Sequence, residues 1–218
     1  MCGILGLIAT PWQQDAQAAL AKIASRGPDE QQLAVEGAAI LGNTRLAVID
    51  PEGGRQPMRS RDGRYVLVHN GEIYNFRELR AELEALGVAF STRSDSEVLL
   101  QGYAQWGDAL PARLDGMFAF AVWDVRERVL FAARDRLGVK PFFYSTHAGL
   151  AFASTLASFY ALRGFPLRPD YEALRDYLGF QVCLAPHSFL AAVRQLPPAC
   201  RLRWREEGNR LEVTRYWE

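Results

Sequence analysis

The strand-forming segments of this sequence come in adjacent pairs, and this constrains the fold more than any other feature. The apolar run from Gly3 to Ala9 predicts a buried strand that begins almost at the first residue. Residues 117–124 and 128–135 form one predicted hairpin, and residues 142–145 and 150–153 form another. Strands grouped in this way, without strict alternation with helices, favour an α+β fold with antiparallel sheets.

The segments between Gly3–Ala9 and the first predicted hairpin carry weaker signals. Residues 16–24 have helical spacing and end before Gly27, while residues 38–49 predict two short strands that meet near Asn43. A strand at Tyr65–His69 runs into the turn-forming dipeptide Asn70-Gly71.

Three helix starts are predicted from capping residues. Asn75, with Glu78 three positions later, begins one helix; Ser94 with Glu97 forms a capping box for a second; Asp170 caps a third that runs through Leu178. A boundary near 164–166 divides the chain into a domain core, residues 2–165, and a C-terminal extension, residues 166–218.

Composition excludes several classes of protein. The chain is 49% hydrophobic and 23% charged with a net charge of zero, as in an ordinary soluble globular protein, so we expect no nucleic-acid or membrane partner. The three cysteines have no metal-binding or disulfide-like spacing, and the three histidines are isolated. We therefore expect no metal site and a reducing, cytoplasmic location.

The start Met1-Cys2-Gly3 carries the clearest chemical signal. Aminopeptidases remove an initiator methionine when the next side chain is small, which would leave a thiol and an α-amino group on Cys2. Such an amine has a pKa of about 7.7–8.0 and can act as the base that activates the thiol. The alternatives are a Cys2–His69 pair, or a small buried cysteine at a strand start.

Four further residues fit a substrate with a carbonyl group and an ammonium group. Asn70 and Gly71 can form a two-donor oxyanion hole, although an Asn-Gly dipeptide is also a common hairpin turn. Glu72 can bind a substrate ammonium group, as can Asp95, which also suits the dipole of the helix it begins.

Arg45 completes this set. It is a lone cation in an apolar stretch and can grip a carboxylate, or lie on the surface of a strand. Together with Cys2, Asn70, Glu72 and Asp95 it describes a site for an amino acid with a cleavable side-chain amide.

At this point the sequence resembles a known family, the N-terminal glutaminase domain of glutamine-hydrolysing asparagine synthetases, which are class II amidotransferases. The matching motifs keep the family's order and spacing across nearly the whole chain; they are Cys2-Gly-Ile-Leu-Gly6, Arg26-Gly-Pro-Asp29, Arg45-Leu-Ala-Val-Ile-Asp50, Gln56-Pro57, Asn70-Gly-Glu-Ile-Tyr-Asn75, Ser94-Asp-Ser-Glu97, Leu114-Asp-Gly-Met-Phe-Ala-Phe120 and Arg134-Asp-Arg-Leu-Gly-Val-Lys-Pro141.

The resemblance implies an N-terminal-nucleophile hydrolase fold, a four-layer αββα sandwich with two antiparallel sheets. It also implies that Cys2 is the nucleophile, that Asn70 and Gly71 form the oxyanion hole, and that glutamine is held by the remaining site residues, Arg45, Glu72, Asp95 and the backbone of Val48 and Ile49. The expected partners are L-glutamine and a C-terminal synthetase domain, with a homodimer as a candidate assembly.

Three positions depart from the family pattern: Asn43, where His is usual, Thr155, and Cys200. None of them removes a catalytic group, but the last two weaken any statement about the nitrogen acceptor. The sequence also lacks a pyrophosphate-binding loop, so we expect no cofactor in this chain and ATP with Mg²⁺ only in a synthetase domain outside it.

Three alternatives stay open at the level of sequence. The chain can be the glutaminase half of another amide-forming synthetase, with an acceptor other than aspartate. It can be an N-terminal-nucleophile hydrolase that acts on a different amide, or a non-catalytic binding module that keeps the same fold.

Overall fold

Twelve strands and five α-helices are present in the structure, a computed structural model that describes residues 1–218. The strands are β1 (Gly3–Ile8), β2 (Glu30–Glu36), β3 (Ala39–Arg45), β4 (Met58–Arg59), β5 (Tyr65–Ile73), β6 (Gly116–Asp124), β7 (Val129–Arg134), β8 (Phe143–Ser145), β9 (Leu150–Ala153), β10 (Arg194–Gln195), β11 (Cys200–Arg205) and β12 (Arg210–Arg215). The helices are α1 (Ala16–Ala21), α2 (Phe76–Ala85), α3 (Asp95–Trp106), α4 (Leu110–Arg113) and α5 (Tyr171–Phe180).

The strands form two six-stranded sheets in which all neighbours are antiparallel. Sheet A has the order β10-β8-β9-β1-β3-β2, and sheet B has the order β12-β11-β7-β6-β5-β4. Both sheets consist largely of hairpins, as the paired strand segments of the sequence predict. The α+β class and the two antiparallel sheets expected from the resemblance are confirmed.

Three apolar clusters show how the layers stack. One contains side chains from both sheets, so the sheets pack face to face. A second lies between sheet B and the helices α2 and α3, and a third lies between sheet A and α1. These contacts produce the four layers, helix, sheet, sheet, helix.

Strand alternation decides which side chains enter the layer between the sheets. In β1, Ile4 and Ile8 belong to the central cluster, whereas Leu5 and Leu7 pack toward α1. Side chains two residues apart share a face of a strand. Cys2, which precedes β1, therefore continues the row of Ile4 and Ile8 and lies at the end of the space between the sheets.

The region around residues 38–49 corrects one prediction. The structure has a single strand, β3, which ends at Arg45, and residues 46–49 form no strand. The apolar residues of this second half are partly exposed, with Val48 62% exposed. Hydrophobicity alone made this segment look like a strand, although it is a loop beside the pocket described below.

The Asn70-Gly71 dipeptide corrects a second prediction, because it is not a turn. β5 continues through it to Ile73, and Gly71 pairs with Phe118 of β6. Gly71 has a φ of +155°, and a Cβ atom there would lie 2.1 Å from the carbonyl oxygen of Met117. Glycine is needed here for close approach of two strands.

Two of the predicted helix caps form hydrogen bonds other than those that the sequence predicts. Asn75 precedes α2, but its side chain binds the segment ahead of β6, donating to Arg113 O and accepting from Asp115 N, and does not cap the helix. Ser94 does cap α3, by accepting from Ser96 N, yet Glu97 accepts from the backbone N–H groups of Ser91 and Thr92, which precede the cap. The predicted capping box is therefore confirmed for Ser94 and wrong for Glu97.

The cap of α5 is confirmed, since Asp170 accepts hydrogen bonds from Glu172 N and Ala173 N. Residues 166–218, predicted as an extension, contribute β10 to sheet A and β11 and β12 to sheet B. The division at 165/166 stays a prediction. No helix in the structure is long and apolar enough to cross a membrane.

Candidate active site

A solvent-open pocket with a cavity volume of about 120 Å³ lies where β1 begins, beside the ends of β3 and β5. All eight residues that the sequence predicts for the site line this pocket: Cys2, Arg45, Val48, Ile49, Asn70, Gly71, Glu72 and Asp95. They come from the residue before β1, from β3, β5 and α3, and from the loop after β3, so only the fold brings them together.

Cys2 is half-buried at the pocket wall, and its thiol faces the backbone of Leu46. The N–H of Leu46 lies 3.5 Å from Sγ, and Sγ lies 3.7 Å from Leu46 O. Burial raises the pKa of the Cys2 thiol, and the Leu46 backbone and the nearby N-terminus oppose this increase only in part. The thiol is therefore protonated at neutral pH and needs a base to become a nucleophile.

Met1 decides whether that base exists. While Met1 is attached, the nitrogen of Cys2 is an amide nitrogen, which is not basic. Met1 is 60% exposed and its removal would leave a free α-amine on the residue that carries the thiol. The only hydrogen bond of His69's ring is to Ser96 Oγ, at 3.1 Å from Nδ1, so no Cys2–His69 pair is formed.

Asn70 is fully buried, and neither Nδ2 nor Oδ1 has a hydrogen-bond partner in the chain. A buried amide without partners costs free energy, about 1–3 kcal/mol, and persists where a ligand supplies the missing bonds. Asn70 occupies a position in β5 that faces the other sheet, like Val66 and Val68, and this is the side on which Cys2 lies.

Arg45 is 3% exposed and its guanidinium group holds the loop that follows β3. It donates to Pro51 O at 2.5 Å and to Asp50 O at 2.8 Å, and lies 3.7 Å from the carboxylate of Glu30. These contacts fix the loop that carries Val48 and Ile49 at the rim of the pocket. The sequence predicted the positive charge of Arg45 in the site, but it did not predict the hydrogen bonds from Arg45 to the loop.

The two acidic residues of the site differ in how they are held. Asp95, in the first turn of α3, is 5% exposed, and its Oδ2 accepts from Ile73 N at 3.2 Å. Glu72 is half-buried in β5, and its carboxylate has no partner in the chain. Both carboxylates line the pocket, where they can bind an ammonium group.

A buried polar network supports the floor of the pocket, and the sequence analysis did not predict it. The side chain of Gln56 accepts from His69 N at 2.5 Å and from Asn43 Nδ2 at 3.3 Å, and it donates to Ser96 Oγ at 3.4 Å. Asn43, noted as a departure from the family pattern, also donates to His69 O at 3.3 Å, so its amide joins β3 to β5 and to the loop after β3. The match at Gln56-Pro57 was the available signal, but it does not reveal these partners.

Lys140 is the second residue that sequence reasoning missed. It lines the pocket, is 4% exposed, and forms no hydrogen bond or ion pair through its ammonium group. The signal lay in the segment Arg134–Pro141, which was used only to support the resemblance. No group of three or more His, Cys, Asp or Glu side chains is arranged to hold a metal ion.

Comparison with known proteins places this geometry in a family. The profile of the glutamine amidotransferase domain matches residues 1–217. Among curated proteins, asparagine synthetase [glutamine-hydrolyzing] 3 of Bacillus subtilis is 38% identical, and a putative asparagine synthetase [glutamine-hydrolyzing] of Mycobacterium bovis is 41% identical. The alignments cover 100% of this chain but only 36% and 37% of these relatives, so the chain spans about a third of their length.

Solved structures confirm the fold. A glutamine phosphoribosylpyrophosphate amidotransferase of B. subtilis superposes with a TM-score of 0.70 and 19% identity, covering 100% of this chain and 49% of that one. A glutamine aminotransferase class-II domain protein of Silicibacter pomeroyi superposes with a TM-score of 0.54 and 16% identity, with both chains fully covered. The N-terminal-nucleophile hydrolase sandwich expected from the resemblance is thereby confirmed, and the chain belongs to the glutamine amidotransferase domain family.

Proposed function

We propose that this chain hydrolyses L-glutamine to glutamate and ammonia, with Cys2 as the nucleophile. One observation carries the proposal: the Cys2 thiol and the unpartnered amide of Asn70 line the same pocket as Arg45, Glu72 and Asp95. This set provides a nucleophile, an oxyanion-binding donor, and charges for both ends of an amino acid.

In the proposed reaction, Sγ of Cys2 attacks the side-chain amide carbon of glutamine after Met1 has been removed. The thiol proton passes to the α-amine of Cys2, and the negative charge forms on the substrate oxygen near Nδ2 of Asn70 and the N–H of Gly71. The amine then protonates the leaving nitrogen, and the C–N bond breaks to release ammonia. Water hydrolyses the γ-glutamyl thioester, which gives glutamate and restores the thiol.

The charged residues of the pocket would orient glutamine for this attack. Its ammonium group faces Asp95 and Glu72, and its carboxylate faces Arg45, whose guanidinium group would bind this charged acceptor in addition to the loop carbonyls. The backbone of Val48 and Ile49, held by Arg45, closes the rim. The loop at 51–61 would move over bound glutamine and exclude water.

The fate of the ammonia is a further part of the proposal. The asparagine synthetases that this chain resembles are about three times as long as the chain. We therefore propose that an ATP- and Mg²⁺-dependent synthetase domain receives the ammonia. This domain would transfer the ammonia to an acyl acceptor, with aspartate as the first candidate. Glutamine hydrolysis itself needs no cofactor. A homodimer and a cytoplasmic location complete the proposal.

A glutaminase assay tests it. The chain lacking Met1 should release glutamate and ammonia in equal amounts, Cys2→Ala should release neither above background, and Cys183→Ala, which removes a thiol outside the pocket, should match the parent. Equal rates for the parent and Cys2→Ala would contradict the mechanism. Hydrolysis of other amides but not of glutamine would favour a different amidohydrolase, and a stable fold without any hydrolysis would favour a binding module.

A further inference from the structure

Lys140 has no role in the mechanism above, although it is buried at the pocket wall. The pocket contains four charged residues, of which Glu72 and Asp95 face the substrate ammonium group and Arg45 faces the substrate carboxylate in the proposed complex. This leaves the charge of Lys140 without a counterpart in bound glutamine. Negative charge that appears only during the reaction would supply that counterpart.

The backbone of Lys140 is held close to the strands that carry the oxyanion hole. Its N–H donates to Asp135 Oδ2 at 2.9 Å, and the same oxygen accepts from the N–H of Phe118 at 3.2 Å. Phe118 is the cross-strand partner of Gly71, and Ala119 is the partner of Asn70. One carboxylate therefore joins the main chain at Lys140 to the strand beside Asn70 and Gly71.

The residues around Asn70 leave space for a group that donates a hydrogen bond to its side chain. Ala119, directly opposite, has a small side chain on the same face of sheet B. Oδ1 of Asn70 is buried and accepts no hydrogen bond, so the amide has nothing in the chain that fixes its orientation. Lys140 and His69 line the same pocket; burial lowers the pKa of His69, and the charge of Lys140 adds to this effect while Asp95 and Glu72 oppose it.

We propose that Lys140 is a positioning residue of the glutaminase site: in the reacting complex its ammonium group donates to Oδ1 of Asn70 and thereby aims Nδ2 at the substrate carbonyl oxygen. The inference rests on the proposed glutaminase function. A charged donor on Oδ1 also polarises the amide, so Nδ2 binds the developing oxyanion more strongly than the neutral carbonyl. Lys140 thus acts on the rate of the chemical step, through Asn70.

Kinetics of Lys140→Met, a variant of similar length without the charge, test this. We expect kcat for glutamine hydrolysis to fall about 10- to 100-fold with KM within about threefold, and Lys140→Arg to recover part of the loss. Asn70→Ala should lower kcat by about 100- to 1000-fold, and Lys140→Met added to it should cause little further loss. The exposed Lys22 provides the matched control, since Lys22→Met should behave as the parent.

Three results would overturn the inference while leaving the proposed function intact. The first is an unchanged kcat for a folded Lys140→Met variant. The second is a raised KM at constant kcat, which would make Lys140 a ligand of the bound ground-state substrate. The third is a loss of kcat in the double variant that equals the product of the two single losses. An inactive parent would instead refute the proposed function itself.

A spectroscopic measurement covers the case in which Lys140→Met does not fold. Lys22 and Lys140 are the only two lysines of the chain, so ¹³Cε-lysine labelling gives two signals that Lys22→Arg assigns. In the Cys2→Ala variant without Met1, saturating glutamine should shift the Lys140 signal and leave the Lys22 signal in place. The same shift after adding Asn70→Ala would overturn the inference.

Discussion

Gly71 holds a position in β5 that no side chain fits without movement of the neighbouring strand. A Cβ atom would meet the carbonyl oxygen and backbone of Met117 and the Cα of Phe118, at a φ rarely adopted by other residues. The same backbone carries the N–H proposed for the oxyanion hole. One glycine thus serves the packing of two strands and the chemistry of the pocket.

Gly71→Ala should therefore cost about 1–3 kcal/mol or more in the free energy of unfolding, and it should abolish most glutaminase activity because β5 must move. Denaturant unfolding and the glutaminase assay measure the two effects. Gly179→Ala in α5, where a Cβ meets nothing within 4 Å, is the control and should leave stability equal or slightly higher. Equal stability of both variants would show that the strands are not in this close contact.

His69 supplies a pH dependence at the residue scale. Burial lowers the pKa of its ring below the ordinary value of about 6.5, so the unfolded chain takes up a proton before the folded one does as pH falls. Stability should be insensitive to this group above pH of about 6.5 and should fall below it, by up to about 1.4 kcal/mol per pH unit.

Unfolding measured at several pH values between about 5 and 7.5 tests this prediction. His69→Gln removes the titrating group, so its stability should change less over that range than the parent's. Above pH of about 7.5, His69 should cause no change of the parent's free energy of unfolding with pH. Parallel pH profiles for the two proteins would contradict a neutral, buried His69.

At the scale of elements, one carboxylate holds the segment after β7 in place through hydrogen bonds to its backbone. Asp135 is 1% exposed and accepts hydrogen bonds from four backbone N–H groups, those of Phe118, Leu137, Val139 and Lys140. This bonding ties the end of β7 and the following loop to β6. In the sequence Asp135 is only the last residue of a predicted strand, and the structure shows the partners that give the residue its role.

Asp135→Asn should destabilise the chain by at least about 2 kcal/mol, because an amide accepts fewer of these hydrogen bonds and places a donor among donors. Hydrogen exchange should rise first at residues 136–140. The exposed Asp115, whose side chain accepts no such bonds, gives the control Asp115→Asn, expected within about 0.5 kcal/mol of the parent. A loss no larger than that of the control would exclude this role for Asp135.

The elements also show what could be read from sequence. β1 and the hairpins β6–β7 and β8–β9 were predicted because apolar periodicity is local, and the starts of α3 and α5 because their caps, Ser94 and Asp170, bind nearby N–H groups. The start of α2 was predicted although Asn75 does not cap it. The continuation of β5 through Asn70-Gly71 was missed, since the preference of this dipeptide for turns is overridden by pairing with β6. The loop at 46–49 was missed because its apolar side chains form the rim of a pocket that only the complete fold creates.

The site could be predicted for a similar reason and with a similar limit. Cys2, Arg45, Asn70 and Asp95 stand in motifs that a resemblance can match one by one. The hydrogen bonds that join Gln56 to His69 and Ser96, and the position of Lys140 at the pocket wall, depend on contacts between distant segments. No local pattern in the sequence contains that information.

At the scale of the whole molecule, the two sheets share one core to which the C-terminal segment contributes. β11 lies between β7 and β12, and its Leu202 and Trp204 belong to the cluster between the sheets. The predicted boundary at 165/166 therefore separates residues that pack together.

A chain shortened to residues 1–165 should lack cooperative unfolding, because the loss of β11 leaves the hydrogen-bonding edge of β7 and part of the central core exposed. Thermal or denaturant unfolding followed by two probes measures this. The parent should give one coincident transition. A cooperative transition for residues 1–165 would show that the predicted core folds without the C-terminal extension.

In the proposed mechanism Cys2 is the nucleophile and its own α-amine is the base. The most direct measurement is intact-mass and peptide analysis of the protein after reaction with a glutamine analogue that carries a chloromethyl ketone in place of the side-chain amide. We predict one adduct, on the N-terminal Cys2 of chains that have lost Met1, with glutaminase activity lost in proportion. Modification of Cys183 or Cys200 instead, or equal labelling of chains that retain Met1, would contradict it.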